Sequence, residues 1–378
     1  MNPSPSSTRS PLAAELLADR TRHARAWKAA GKPVVGFLSN SVPVELIDAA
    51  GCFPLQLPAL PSASTPLADR YMEDLFDPMA RSVFERLLAG EFAFVDLVVL
   101  PRAVDSFQRM YYYLCELQRL GLERAPAVFL YDVLQTPTYS SAEYSYARTL
   151  DLKRRLEALA QRSISDADLH ASIGSYDAVR RRLAGAFEQR CAAPCAIAGE
   201  TVMDLLTVSQ IVAPRTIEAT LDALLAADTA PAGGKRVVLV GSAHDEPLLH
   251  ARIAAAGGQV VGDYHWRGEL LWGPELDRTL PPLRALATHY QRDVRGARTF
   301  PVPIAEFGEF VRARRADAAL FYYYEQEEAL TWDHVEQRQA LDALGVPWLC
   351  LSMQPYPAGP AVDAQLREFL AGITERHS

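Results

Sequence analysis

VVGFLSNSVPVELIDAAGCFPLQL, residues 34–57, holds an apolar run, a polar break and a second apolar run separated by one short helical period. The flanking runs are β-rich and nearly continuous, as strands buried on both faces must be. A strand, a helix and a strand this close together predict a parallel pair with a crossover helix.

The same rhythm continues outward. DPMARSVFERLLAG predicts a helix, VDLVVL (95–100) a strand, residues 105–121 a helix and AVFLYD (127–132) a strand. A second block repeats it, with strands at RVVLVGS (236–242), QVVGDYH (259–265), AALFYYY (318–324) and PWLCLS (347–352). Its helices are expected from Glu246, near 276–296, near 332–344 and from Asp363. Residues 139–228 are helical by period, without a convincing strand, and APAGGK (230–235) reads as a linker.

The expected fold is therefore α/β: two doubly wound parallel-sheet domains with a helical accessory region between them. The boundaries are 1–32 for a tail and helix, 33–138 and 235–378 for the α/β domains, and 139–234 for the helical bridge.

Composition narrows the function. The 49% hydrophobic and 22% charged content is that of a globular chain, and a net charge of −8 disfavours a nucleic-acid surface. No apolar run reaches the roughly 18–20 residues of a membrane span, and no apolar signal core opens the chain, so a cytoplasmic location is expected. The five cysteines are odd in number, which argues against a disulfide framework. Cys191 and Cys195 form the one close pair, and two cysteines cannot complete a tetrahedral metal site. VGSAHDEP carries one glycine where a dinucleotide fingerprint needs three.

In open parallel sheets ligands bind beyond the carboxyl ends of the strands. Those ends present Ser39, Asn40 and Ser41 with Glu45 one turn on, then Arg102, Asp105 and Ser106. In the second block they present Ser242, His244 and Asp245, then Asp263 and His265, then Glu325, Glu327 and Glu328. Asp105 is placed to cap its helix as well as to face a cleft. The two histidines, each near an aspartate, make a metal site conceivable, whereas the three glutamates are most simply a solvated helix start. The tyrosine runs 111–113 and 322–324 read as packing residues.

The opening stretch resembles the 2-hydroxyacyl-CoA dehydratase and benzoyl-CoA reductase family through Gly36, Phe37, Pro43, Glu45, Leu46, Ala49, Ala50, Gly51 and Pro54. DPMARSVFERLLAG with VDLVVLPRAVDSFQRM looks like that family's next segment, and the second block looks like its C-terminal domain. The resemblance implies two flavodoxin-like or Rossmann-like domains, a heterodimer, and an acyl-CoA substrate. It also implies an interdomain four-iron four-sulfur cluster on three cysteines, and an ATP-dependent activator that supplies one electron. Such enzymes dehydrate 2-hydroxyacyl-CoA to enoyl-CoA or reduce an aromatic ring. Carried across, the three ligand positions fall on Asp77, Val104 and Gln326 (or Glu325 or Glu327), and none is cysteine. Thiolates hold iron in such clusters, so the usual cluster is not expected on this chain.

Three roles follow. The chain is a cluster-lacking subunit beside a homologous partner, in a heterodimer or a homodimer; the retained full-length order favours this one. Or it is a repurposed acyl-thioester enzyme with Glu45, Asp105, His244, Asp263 and His265 as acid–base or metal residues. Or it is a non-catalytic scaffold. In each, Ser39, Asn40, Ser41, Arg102, Ser106 and Ser242 are candidate substrate contacts.

Overall fold

The computed structural model describes residues 9–60, 64–122, 125–228, 233–294 and 303–373. Helices α1 (Pro11–Ala18) and α2 (Arg22–Ala29) lead into β1 (Val34–Phe37), α3 (Val44–Ala49), β2 (Phe53–Gln56) and α4 (Pro78–Leu88). Then come β3 (Leu97–Pro101), α5 (Asp105–Leu120) and β4 (Ala127–Tyr131). Four helices follow: α6 (Tyr139–Ala160), α7 (Asp166–Cys191), α8 (Gly199–Val208) and α9 (Ile217–Ala226). The second unit runs β5 (Lys235–Gly241), α10 (Leu248–Ala255), β6 (Gly258–Tyr264), α11 (Pro282–Thr288) and α12 (Ile304–Ala313). It closes with β7 (Ala318–Tyr324), α13 (Ala329–Leu344), β8 (Trp348–Gln354) and α14 (Asp363–Ala371).

Both sheets are four-stranded and all parallel, in the orders β2-β1-β3-β4 and β6-β5-β7-β8. The two orders are the same, and each reverses direction between its first and third strands. That switch point is where loops diverge and a crevice opens. It lies between β1 and β3 in one unit and between β5 and β7 in the other.

Side chains alternate between faces along a strand, and the second sheet shows why its strands read as unbroken apolar runs. Val237, Leu239, Tyr322 and Tyr324 pack with α10 and α14, whereas Val238, Val240, Phe321 and Tyr323 pack with α12 and α13. The run Tyr322–Tyr324 is therefore core, divided between two faces. At the end of β5, Gly241 has φ +115°, and a Cβ there would lie 2.5 Å from the Tyr322 carbonyl oxygen. Only glycine lets the chain leave the strand at that angle.

The helices start where their caps dictate. Asp77 accepts the Ala80 N–H at 2.8 Å with Pro78 in the first turn of α4, and Ser165 and Asp168 form a reciprocal capping box on α7. Helix α5 differs from expectation. Asp105 is its first helical residue and not its cap; Val104 holds the cap position without a side-chain bond. The acid in the first turn acts through the helix dipole instead.

The helix expected near 276–296 is also corrected. Residues 276–281 are irregular, α11 begins only at Pro282, and a π-turn covers His289–Asp293. Pro282 lacks the N–H that a helix interior needs, so it fits only the first turn. Residues 295–296 of that stretch, 230–232 of the expected linker, and tail residues 1–8 lie outside the described residues. Helix α12 is an element that the sequence reading did not include.

Candidate functional site

The starts of three helices meet at one cleft of about 360 Å³. Asp77 and Pro78 come from the start of α4, Val104, Asp105, Ser106 and Arg109 from that of α5, and Gln326, Glu327, Glu328, Ala329 and Trp332 from the turn into α13. Tyr324, the last residue of β7, also lines the cavity. The Asp77 N–H lies 3.4 Å from Ser106 Oγ and donates to it, which links the first two helix starts. Burial pushes the Asp77 carboxyl above its ordinary range, against the pull of the Ala80 and Met79 N–H groups and of Arg267. Arg109 sits 5.5 Å over the Phe76 ring. At the same cleft Leu75 and Trp332 are 71% and 81% exposed, which is unusual for large apolar side chains.

Asp77, Val104 and Gln326, far apart in sequence, therefore line the same cavity. No cysteine joins them. Cys52 precedes β2, Cys115 lies within α5, Cys191 and Cys195 lie at and beyond the end of α7, and Cys350 lies in β8. Burial pushes the Cys52 thiol up to about 12 and raises those of Cys191, Cys195 and Cys350. Among the described residues no group of three or more His, Cys, Asp or Glu is arranged to hold a metal ion. His244 and Asp245 at the end of β5 and Asp263 and His265 at the end of β6 are not such a group.

A model of the family described as 2-hydroxyglutaryl-CoA dehydratase, D-component, matches residues 40–368. The chain belongs to that family. No curated protein matches the chain.

The three-cysteine cluster expected from the resemblance can be tested against the dehydratase-family cleft by donor chemistry. Thiolates hold the iron of such clusters; a valine has no donor atom, and carboxylate and carboxamide oxygens are hard ligands poorly matched to it. The residues at the three positions do not fit the group.

The remaining sequence candidates lie elsewhere. Glu45 is fully buried, paired with Arg180, and accepts the Tyr290 hydroxyl at 2.7 Å. Burial pushes its carboxyl up, but Arg180 and His289 outweigh that and hold it below the ordinary range. Arg180, from α7, also donates to Asp177 at 3.1 Å and to the Trp272 carbonyl at 3.0 Å, so it ties the first unit, the helical bridge and the second unit together. Ser39, Asn40 and Ser41 are buried at the same junction. Ser39 holds φ +64°, a strained value for a non-glycine residue, and Asn40 Nδ2 donates to the Leu270 carbonyl at 2.8 Å.

Behind Tyr324 lies a second polar group. Its hydroxyl donates to the Ala243 carbonyl at 2.6 Å and lies 3.2 Å from His244 Nδ1. The His244 and His265 rings are 5.7 Å apart and buried. Burial pushes both imidazoles down, His265 to about 4. Asp263 lies 2.8 Å from His250 Nε2 and pairs with Arg190; burial would raise its carboxyl, but these two cations hold it far below its usual value. Ser242 Oγ accepts the Tyr324 N–H at 3.1 Å. Arg102 is at the surface, 3.4 Å from Asp132.

The cleft thus gathers Asp105 and Ser106 with Asp77, Val104 and Gln326. It leaves Glu45, Ser39 to Ser41, His244, His265, Ser242 and Arg102 outside its lining. Tyr324, Leu75 and Trp332 were not among the sequence candidates. Tyr324 is a core tyrosine whose place at a strand end gave the only hint of it, and no local pattern marks the other two.

Proposed function

We propose that the chain is a cluster-lacking subunit of a 2-hydroxyacyl-CoA dehydratase-type assembly that works beside a homologous partner chain. The observation that carries this reading is the meeting of Asp77, Val104 and Gln326 at one cleft. The architecture that assembles a ligand set is kept, while the ligands are not. In this reading the cleft shapes an acyl-CoA site at the subunit junction, where Asp105 and Ser106 meet the substrate. Leu75 and Trp332 pack against the partner, as exposed apolar side chains at a specific interface do. Glu45 is a positioning residue that holds the strand-to-helix turn after β1. An ATP-dependent activator would act on the partner.

The alternative reading, acid–base chemistry on an acyl thioester by Glu45, Asp105, His244, Asp263 and His265, draws less support. Asp105 lines the cleft, but the other four are buried and lie outside its lining.

The test is anaerobic co-expression with a homologous chain that carries the three cysteines. The expected outcome is a stable complex whose iron follows the partner. No complex, or an intact complex without iron, would contradict the proposal.

A further inference from the structure

Large apolar side chains that stand together in water mark a contact surface. Leu75, just ahead of α4, belongs to the first unit and Trp332, on α13, to the second, and both line the cleft. Val335, on the same side of α13 as Trp332, is 47% exposed. Among the described residues the Trp332 ring stacks on no other ring and receives no cation.

Between these side chains the lining is acidic. Glu73, Asp77, Asp105, Glu327 and Glu328 stand against a single cation, Arg109. Two of the acids are engaged at helix starts: Asp77 accepts the Ala80 N–H, and Glu327 accepts those of Ala329 and Leu330 at 3.1 and 3.0 Å. Glu73, Asp105 and Glu328 are exposed and enter no ion pair among the described residues. Arg109 rests on the Phe76 ring and not on a carboxylate. The starts of α4, α5 and α13 each contribute about half a positive charge, and the lining stays negative.

This combination selects among occupants. A negative lining repels a nucleic acid and an anionic membrane surface. It also disfavours a second copy of this chain, which carries a net charge of −8. Several of its surface arginines are already paired internally, Arg119 with Glu116, Arg154 with Asp151 and Arg181 with Glu275. What fits is a cation carried beside an apolar group. A Lys or Arg reaches both the free carboxylates and the open face of Trp332, and tryptophan is the ring that attracts a cation best.

We propose that the mouth of the cleft is the docking site for a basic segment of a partner protein. The segment sets a Lys or Arg among Glu73, Asp105 and Glu328, and an apolar neighbour against Leu75 and Trp332. Only the identity of its owner, a homologous chain, rests on the dehydratase-subunit reading. On that reading a cation seated there also offsets the repulsion that the phosphates of CoA meet at an acidic mouth.

The experiment screens the purified full chain, without any partner, against an array of randomised octapeptides and measures the best binder in solution by calorimetry. The array is expected to enrich Lys or Arg beside Leu, Phe or Trp. Affinity is expected to fall about tenfold in Trp332→Ala, and by a similar factor in the double variant Glu73→Gln with Glu328→Gln. It is also expected to fall by about that factor between about 50 and about 300 mM salt. All three positions are at the surface, and unchanged melting temperatures check that each variant is folded.

No binder at all, enrichment without basic residues, salt-independent binding, or wild-type affinity in either variant would overturn the proposal. So would binding of spermidine as tight as that of the peptide, which would assign the cleft to a small polyamine. Should a variant fail to fold, the array composition and the salt dependence of the wild type still decide it. Failure of the dehydratase-subunit reading would show in co-expression with the cysteine-bearing homologue and would leave the array result unaffected.

Discussion

The backbone N–H of Asp77 lies 3.4 Å from Ser106 Oγ, so the residue at one expected ligand position is hydrogen-bonded to the helix that carries another, Val104. Asp77 also caps α4 through Ala80. The side chain at that expected ligand position serves as a helix cap.

Capping should therefore be measurable at Asp77. Asp77→Ala is expected to lower stability by about 1 kcal/mol in urea denaturation, while Asp77→Asn, an equally good cap, stays near wild type. Equal stability of all three proteins would show that the cap contributes nothing.

Glu45 and Arg180 form a buried pair that joins the units. Glu45→Ala strands the guanidinium in the interior and is expected to cost about 3–5 kcal/mol. Tyr290→Phe, which removes one bond to the carboxylate, is expected to cost about 1.5–3 kcal/mol. A loss at Glu45 no larger than that of a surface change would place the pair outside the stabilising network.

Acid should weaken the fold through His265 and His244. Each folded pKa lies below the ordinary value of 6.5, to about 4 for His265. Between those pH values the unfolded chain takes up protons that the folded chain refuses, so stability falls as pH drops. His265→Gln is expected to flatten urea midpoints measured from pH 7 to 4.5. His250 opposes this: burial pulls its pKa down, but Asp263 outweighs burial and raises it. Its contribution is complete below 6.5 and fades as pH climbs through the raised value. An unchanged slope in His265→Gln would remove that histidine from the pH response.

Trp332 and Leu75 touch solvent more than they touch the fold. Trp332→Ala is expected to change stability by no more than about 0.5 kcal/mol. The same variant should weaken the complex with the homologous partner by about tenfold or more, read by calorimetry or surface plasmon resonance. Unaltered affinity would move the interface away from the cleft.

The fold was legible because its signals are local. The eight strands among the described residues fall where short apolar runs stand, since a parallel sheet covered on both faces needs residues such as Val237 to Val240 apolar without interruption. The proline pair at 281–282 displaced α11, and α12 was overlooked. The site was only half legible. Of the residues read at strand ends, Asp105 and Ser106 line the cleft. Whether a polar residue there faces a cavity or is sealed in a network depends on partners far away in sequence. Glu45 is claimed by Arg180, 135 positions on, and Tyr324 reaches back 80 to His244. Periodicity carries no trace of such pairings.

The most direct test of the account is the iron and acid-labile sulfide content of this chain alone after anaerobic purification and reconstitution. The account predicts a colourless protein without stoichiometric iron, and uptake of a cluster only when Asp77→Cys, Val104→Cys and Gln326→Cys are combined. A brown wild-type protein holding about four irons per chain on thiolate ligands would contradict it.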